Sequence, residues 1–124
     1  MLLEKYTTTW DAQKEIYEFV SQGPKGFIRK VIRYEHLGSN IYNLGFGDWD
    51  NDKGIIDDAI RTNNNDSGKV LATVASTVID FLYKNSFAQI FIQGSTPART
   101  RLYQMGIANN WNEIRRLVIM LGIS

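Results

Sequence analysis

The sequence predicts an α+β fold, with a mostly antiparallel, twisted sheet of about five or six strands and two helices packed on one face. Bulky runs typical of strands, separated by short turns, fill the first half of the chain. An apolar stripe at helical spacing follows, between Val70 and Leu82. A short apolar run, a second helix start and a last apolar run then complete the pattern.

The bulk composition predicts a single domain over residues 1–124 and limits the functional classes. A net charge of +1 and a pI near 7.9 argue against binding nucleic acid through overall charge. The chain has no cysteine, which excludes disulfides, thiolate catalysis and cysteine-based zinc sites. Because no run resembles a signal peptide or approaches the ~20 apolar residues of a membrane span, we expect a cytoplasmic protein without membrane partners.

Alternating β-branched and aromatic residues predict an antiparallel meander in the first half of the chain. Pro24 between two glycines marks the first turn, and a Gly-Ser-Asn run marks the second. Gly45 suggests a bulge in the returning strand. The strands are predicted over residues 14–21, 27–37 and 41–46, with turns at 22–26 and 38–40.

The acidic stretch at 47–54 predicts a solvated loop. Its alternate aspartates resemble a calcium loop, but Lys53 occupies the position that requires glycine and Ala59 the position that requires glutamate. The next run, 55–62, fits one face of a helix or a short interrupted strand, and we favour a strand or an irregular segment.

Two helices and two further strands are predicted in the second half. Asp66 or Ser67 would cap the first helix, which ends at Asn85. A short apolar run at 88–93 then indicates an interior strand. Thr96, Pro97 and Gly106 are the cap, first residue and end of the second helix, and a last strand is expected over 114–123. Because the sequence ends in an apolar run, this strand would be an edge, able to pair between chains, or the sequence would be cut short.

Cations at the starts of both predicted helices indicate an anion site. Arg99 and Arg101 lie in the first turn of the second helix, and Lys69 lies just inside the first. A cation there costs a few tenths to about 1 kcal/mol unless an anion is near, because the helix dipole is positive at that end. A phosphate or carboxylate bound over Gly94, Ser95 and Thr96 would make the position of these cations favourable instead of costly. The alternative is that the arginines pair with acidic residues of the 48–58 stretch.

Other candidate sites have less support. Ser67, Gly68 and Lys69 resemble part of a phosphate-binding loop, but the flanking positions that should hold Gly and Ser or Thr hold Asn63 and Val70. His36 is the only histidine, and no nucleophile motif accompanies it.

Aromatic residues interleaved with basic ones in the meander could stack nucleic-acid bases on a sheet face, although core packing explains the same pattern. The aromatic residues are Tyr34, Tyr42, Phe46 and Trp49, and the basic ones are Arg29, Lys30 and Arg33.

Four runs, GPKGFIRKVIRY, NLGFGD, DSGKVLATVA and GSTPARTRLYQ, resemble a family of small uncharacterised bacterial proteins with no assigned activity. The layout of strands, helix, strand, helix and strand, together with RLYQMGI, is similar to the core of GNAT acetyltransferases. That second resemblance implies Tyr103 as general acid, the amides of Ser67–Lys69 near an acyl-CoA pyrophosphate, and an acyltransferase activity. The alternatives are a non-catalytic module that binds nucleic acid or protein, and an oligomer formed through the C-terminal strand.

Overall fold

The fold was determined as a computed structural model, which describes residues 4–57, 64–92, 97, 98, 100, 101, 105 and 119–121. Within these residues the chain forms one seven-stranded sheet and one helix that is described over its full length. The strands are β1 (Thr9–Asp11), β2 (Ile16–Gly23), β3 (Gly26–Gly38), β4 (Ile41–Asp50), β5 (Ile55–Asp57), β6 (Gln89–Ile92) and β7 (Ile119–Leu121), and the helix is α1 (Ser67–Lys84).

Strands β1 to β5 pair with their neighbours in antiparallel fashion, and β6 and β7 extend the sheet in parallel. The order is β1-β2-β3-β4-β6-β7, and β5 pairs with the later part of β4 on the side where β6 pairs with its beginning. The α+β class and the mostly antiparallel sheet are therefore confirmed. The sheet has seven strands rather than the predicted five or six, because β1 was not predicted.

Side-chain alternation along the strands divides the sheet into a helix face, covered by α1, and a far face. On the helix face, Tyr17 of β2, Ile32 of β3 and Leu44 of β4 are buried against α1. Val74 and Val78 come from the apolar stripe that the sequence predicted, and Phe81 stacks on Tyr34 with ring centroids 4.2 Å apart. The helix is rich in β-branched residues, so this burial stabilises it more than its own propensity does.

Tyrosine hydroxyl groups of the sheet that point toward α1 find hydrogen-bond partners on the helix. The Tyr34 and Thr77 hydroxyls lie 2.9 Å apart, and Tyr17 donates a hydrogen bond of 2.6 Å to Asp80 Oδ2. Burial, then the hydrogen bond to Asp80, raises the pKa of Tyr17 well above its ordinary value. The same hydrogen bond lowers the pKa of Asp80, helped by Lys84 one turn along the helix.

The predicted acidic loop at 47–54 was wrong in its first half, which continues β4 to Asp50. Asp48 faces Lys30 across the ladder, and the two buried side chains form an ion pair. Because Lys30 neutralises its charge, Asp48 can be part of β4 although it is buried. The turn begins only at Asp50, whose carboxylate accepts the backbone N–H groups of Asp52 and Lys53.

Gly45 forms no bulge, because it pairs in register with Arg33 and the ladder irregularity lies between His36 and Gly38. The ambiguous run at 55–62 begins with β5, and its residues 58–62 lie outside the described part. The predicted strands at 88–93 and 114–123 are seen in part, as β6 and β7.

The second predicted helix is only partly described. Pro97, Ala98, Thr100, Arg101 and Met105 are helical, and the other residues of 96–106, including the predicted cap and end, lie outside the described part. A second helix packed on the sheet is therefore not established.

Gly23→Ala should destabilise the protein, because a β-carbon at this position would lie 2.0 Å from the backbone oxygen of Asn64. A clash with backbone forces the loop to move, and we expect a loss of about 1–3 kcal/mol in the free energy of unfolding, measured by urea titration. Gly45→Ala is the matched control, since a β-carbon there would lie 4.0 Å from the backbone oxygen of Arg33. Equal effects of the two substitutions would contradict the close approach.

Tyr17→Phe should flatten the alkaline loss of stability. The pKa of Tyr17 is raised in the folded state, so above the ordinary value of 10.0 the unfolded chain loses this proton before the folded chain does. The stabilisation is present below pH 10.0 and is lost as the pH rises. Urea unfolding between about pH 8 and about pH 11 should show a shallower decline in the variant. Tyr83→Phe, at a side chain 85% exposed, should keep the wild-type slope.

Candidate functional site at the edge of the sheet

The candidate site lies where β2 extends beyond its short outer neighbour. β1 pairs with β2 only from Ile16 to Glu18, whereas β2 continues to Gly23. Residues 5–7 precede β1 and lie beside this longer part of β2, and the space between them is an open cleft of about 510 Å³. The start of α1 closes one side of the cleft through Lys69.

Tyr6 fixes the segment that precedes β1. Its hydroxyl donates a hydrogen bond of 2.6 Å to Asp66 Oδ2, accepts the Gln22 N–H at 3.0 Å, and lies 3.3 Å from the Gln22 carbonyl oxygen. Its ring stacks on Phe19 at 5.5 Å, and its backbone N–H donates to Thr73 Oγ1 at 2.8 Å. Burial, then the bond to Asp66, raises the pKa of Tyr6, so the hydroxyl keeps the proton that it donates.

A buried amide holds the hairpin between β2 and β3 against the loop that leads into α1. Asn64 Nδ2 donates to Ser21 Oγ at 3.1 Å and to the Gly26 carbonyl at 2.9 Å, and its Oδ1 accepts the Lys25 N–H at 2.7 Å. Gly23 permits this approach because any side chain there would meet Asn64. The β2 edge and the α1 start therefore form one fixed wall.

Asp66 occupies the predicted N-cap position of α1, but its side chain does not cap the helix. Its Oδ2 accepts hydrogen bonds from Tyr6 and Ser21, and no acidic residue lies in the first helical turn. The Lys69 ammonium lies 4.2 Å from the centre of the Tyr6 ring, at a distance typical of a cation–π contact. In the part of the chain that the structure describes, Lys69 is thus held at the cleft by a ring and not by a carboxylate.

The cleft lining is predominantly cationic. Lys5, Arg29 and Lys69 come from three separate segments, and Glu18 is the one acidic residue among the lining side chains that the structure describes. Arg29 forms an ion pair with Glu18, and its guanidinium also lies 5.3 Å from the centre of the Trp49 ring. Three cations and one carboxylate leave a formal charge of +2 on the described residues of the lining.

A second, smaller cleft of about 190 Å³ lies on the far face around Gly45. Arg33 and Glu35 both line it, so their charges cancel. It is a weaker candidate for an anion.

The residues predicted from sequence are only partly brought together. Lys69 lines the larger cleft, Ser67 and Gly68 are exposed at the start of α1, and Arg101 is exposed and lines neither cleft. The ion pairs found in the described part do not include Arg101, so its suggested pairing with the 48–58 acids is not seen. Gly94, Ser95, Thr96, Arg99 and Tyr103 lie outside the described residues.

The suggested base-stacking surface was wrong for most of its aromatic residues. Tyr34 is buried in the core, and Tyr42 and Phe46 pack against that core on the helix face. Of the four, Trp49 is the one on the far face, where its ring lies near Arg29 and Lys14. Of the basic residues, Lys30 is buried in its ion pair with Asp48. Core packing, the alternative interpretation, accounts for the pattern.

Sequence reasoning missed Lys5, Tyr6 and Gln22. They belong to segments distant in sequence from Lys69, and only the strand pairing brings them to one place. The part of the chain with described side chains holds no group of three or more histidine, cysteine, aspartate or glutamate residues able to bind a metal. No helix in that part is long and apolar enough to cross a membrane.

Comparison with protein families gives a match. The model of a family of unknown function matches residues 2–124, nearly the whole chain, as the sequence runs suggested. No curated protein and no solved structure matches, so the resemblance to the acetyltransferase core gains no support.

Tyr6→Phe should lower the free energy of unfolding by about 1–2 kcal/mol, because Asp66 loses a donor and the Gln22 N–H loses its acceptor. Thermal and urea unfolding at neutral pH would measure the change. Tyr83→Phe removes a hydroxyl from a side chain 85% exposed and should stay within about 0.5 kcal/mol of the wild type. If both variants matched the wild type, the Tyr6 hydroxyl would not be what fixes this segment.

Proposed function

We propose that this chain, which belongs to the DUF6934 family of unknown function, is a binding module whose cleft beside β2 takes a small molecule bearing a phosphate or similar anion. The observation that carries the proposal is that Lys5, Arg29 and Lys69, from three separate segments, line one cleft whose described residues include a single carboxylate. Because the chain as a whole carries only +1, this is a local concentration of positive charge.

The chemistry of the lining suits phosphate oxygens. Lysine ammonium groups bind phosphate as point charges, and clefts lined by one sign of charge concentrate ions of the opposite sign. Gln22 adds a carboxamide, and Thr7 and Thr9 add hydroxyls that can donate hydrogen bonds. Arg29 is already engaged by Glu18, so Lys5 and Lys69 are expected to contribute most.

The start of α1 supports the same ligand class. Its first turn has no acidic residue and no side-chain cap, so an anion at the cleft near Lys69 would also meet the positive end of the helix dipole. An acyl-CoA, the cofactor that the acetyltransferase resemblance suggested, belongs to this class through its phosphates. The proposal is one of binding, and acyl transfer through Tyr103 is a further hypothesis.

Lys69→Met should weaken the binding of pyrophosphate, ADP or acetyl-CoA several-fold, and Lys5→Met should do the same, because each removes one cation from the cleft. The measurement is the shift in melting temperature at low ionic strength, where a ligand at 100 times its dissociation constant adds about 2.7 kcal/mol. Lys53→Met is the matched control, since Lys53 lies in the exposed turn between β4 and β5. Binding should also weaken with added salt.

Two results would contradict the proposal. One is the absence of any shift with all three probes. The other is binding that Lys69→Met and Lys53→Met reduce equally, since the charge would then act through the whole protein and not through the cleft.

A further inference from the structure

Among the residues that the structure describes, no strand pairs with the outer backbone edge of β2 beyond Glu18, and this open edge lies inside the cationic cleft. β1 covers this edge only as far as Glu18, which faces Thr9, and β2 then runs on through Val20 and Gln22. The other edge of β2 is fully paired with β3, from Ile16 to Gly23. An unpaired strand edge is a template on which another extended chain can add.

The contacts of Tyr6 show which residues of β2 direct their backbone N–H and carbonyl groups away from β3. Its hydroxyl contacts both the N–H and the carbonyl oxygen of Gln22, so the backbone groups of Gln22 point away from β3. In an antiparallel sheet these groups alternate in direction from one residue to the next. Those of Val20 therefore also point outward, and Val20 lines the cleft.

The side chains around this edge set a pattern for what can bind. Val20 is 42% exposed on the far face, and Phe27, diagonally placed on β3, is 78% exposed on the same face. Lys69 lies on the opposite side, over the Tyr6 ring that stacks on Phe19 of the helix face. A chain in strand conformation at Val20 would alternate its side chains between this apolar surface and this cation.

We propose that the partner of the cleft is an extended acidic peptide segment that adds to β2 at Val20, an inference that rests on the proposed anion binding. Its central apolar residue lies opposite Val20 and packs on Val20 and Phe27. The residues on either side are acidic and project toward the helix face, where Lys69 lies. The recognised pattern is acidic–apolar–acidic in a chain that keeps its backbone N–H groups.

Charge and backbone complementarity together favour a peptide over nucleic acid. A nucleic acid strand supplies negative charge but no alternating N–H and carbonyl groups to pair with Val20. Of the suggested aromatic surface for bases, Tyr34 is buried, and Tyr42 and Phe46 pack against the core. The acidic side chains of a peptide would pair with the lysines, and its backbone would form hydrogen bonds with the edge of β2.

The test uses the full chain and a fluorescent blocked peptide of sequence GELEG, with fluorescence anisotropy at low ionic strength. We expect GELEG to bind, GKLKG not to bind, and GELEG with N-methyl-leucine to bind at least about fivefold more weakly, because it lacks one main-chain donor. Lys69→Met should weaken GELEG binding about threefold, as expected for an exposed charge pair, and Lys53→Met should leave it unchanged.

Val20 supplies a second readout on the protein itself. Val20→Glu should abolish GELEG binding, whereas Leu37→Glu, at a side chain 56% exposed on the distant end of β3, should have no effect. Circular dichroism would check that both variants fold. In hydrogen exchange by NMR, the Val20 amide of the free protein should exchange faster than those of Phe19 and Ser21. Addition of GELEG should then slow it.

The outcomes separate this inference from the proposed function. Binding of pyrophosphate that depends on Lys69, without binding of GELEG, would overturn the peptide inference and leave the anion cleft standing. Stronger binding of an oligonucleotide than of GELEG, or equal binding of the N-methylated peptide, would also overturn it. Failure of every anionic probe would overturn both proposals.

Discussion

The hydrogen bond from Tyr6 to Asp66 determines the arrangement of the cleft. It ties the segment before β1 to the residue at which α1 begins, 60 positions later in the chain. The same hydroxyl accepts a hydrogen bond from the backbone N–H of Gln22. The Tyr6 side chain therefore joins the N-terminal segment, the β2 edge and the start of α1. Because Asp66 is used in this way, it does not cap α1. The cation over the Tyr6 ring and the unpaired stretch of β2 then share one opening.

The elements that pattern alone could predict are those with strong periodicity. The helix from Ser67 to Lys84 carries an apolar stripe throughout, and it begins and ends where the capping residues indicated. The meander followed from alternation and turn residues, both of which are local. Asp48 shows where local patterns fail. An aspartate usually indicates a loop, but here it pairs with a buried lysine, Lys30, which lies 18 residues away in the sequence. Its place in β4 depends on the register of β3, which local patterns do not determine.

The candidate site was predictable at one residue, Lys69, because a cation in the first turn of a helix is unusual in any sequence. Lys5 and Arg29 could not be linked to it, since no motif joins three cations on separate segments. Asp66 was placed at the correct helical position but given the wrong role. Its hydrogen-bond partners, Tyr6 and Ser21, are 60 and 45 residues distant. Tertiary partners decide the use of a polar side chain, and sequence spacing gives little information about them.

One edge of β4 pairs with β3. Its other edge pairs with β6 along the first part of the strand and with β5 along the last part. The antiparallel pairs involve hairpins close in sequence, whereas Ile41 of β4 meets Gln89 of β6 only after the whole of α1. Closing so long a loop costs more chain entropy than closing a hairpin, so local contacts form at lower cost. The order of folding that this connectivity favours is β2, β3 and β4 first, with α1 and β6 docking together onto that preformed template. The shared strand is then the place where early and late stages of folding meet.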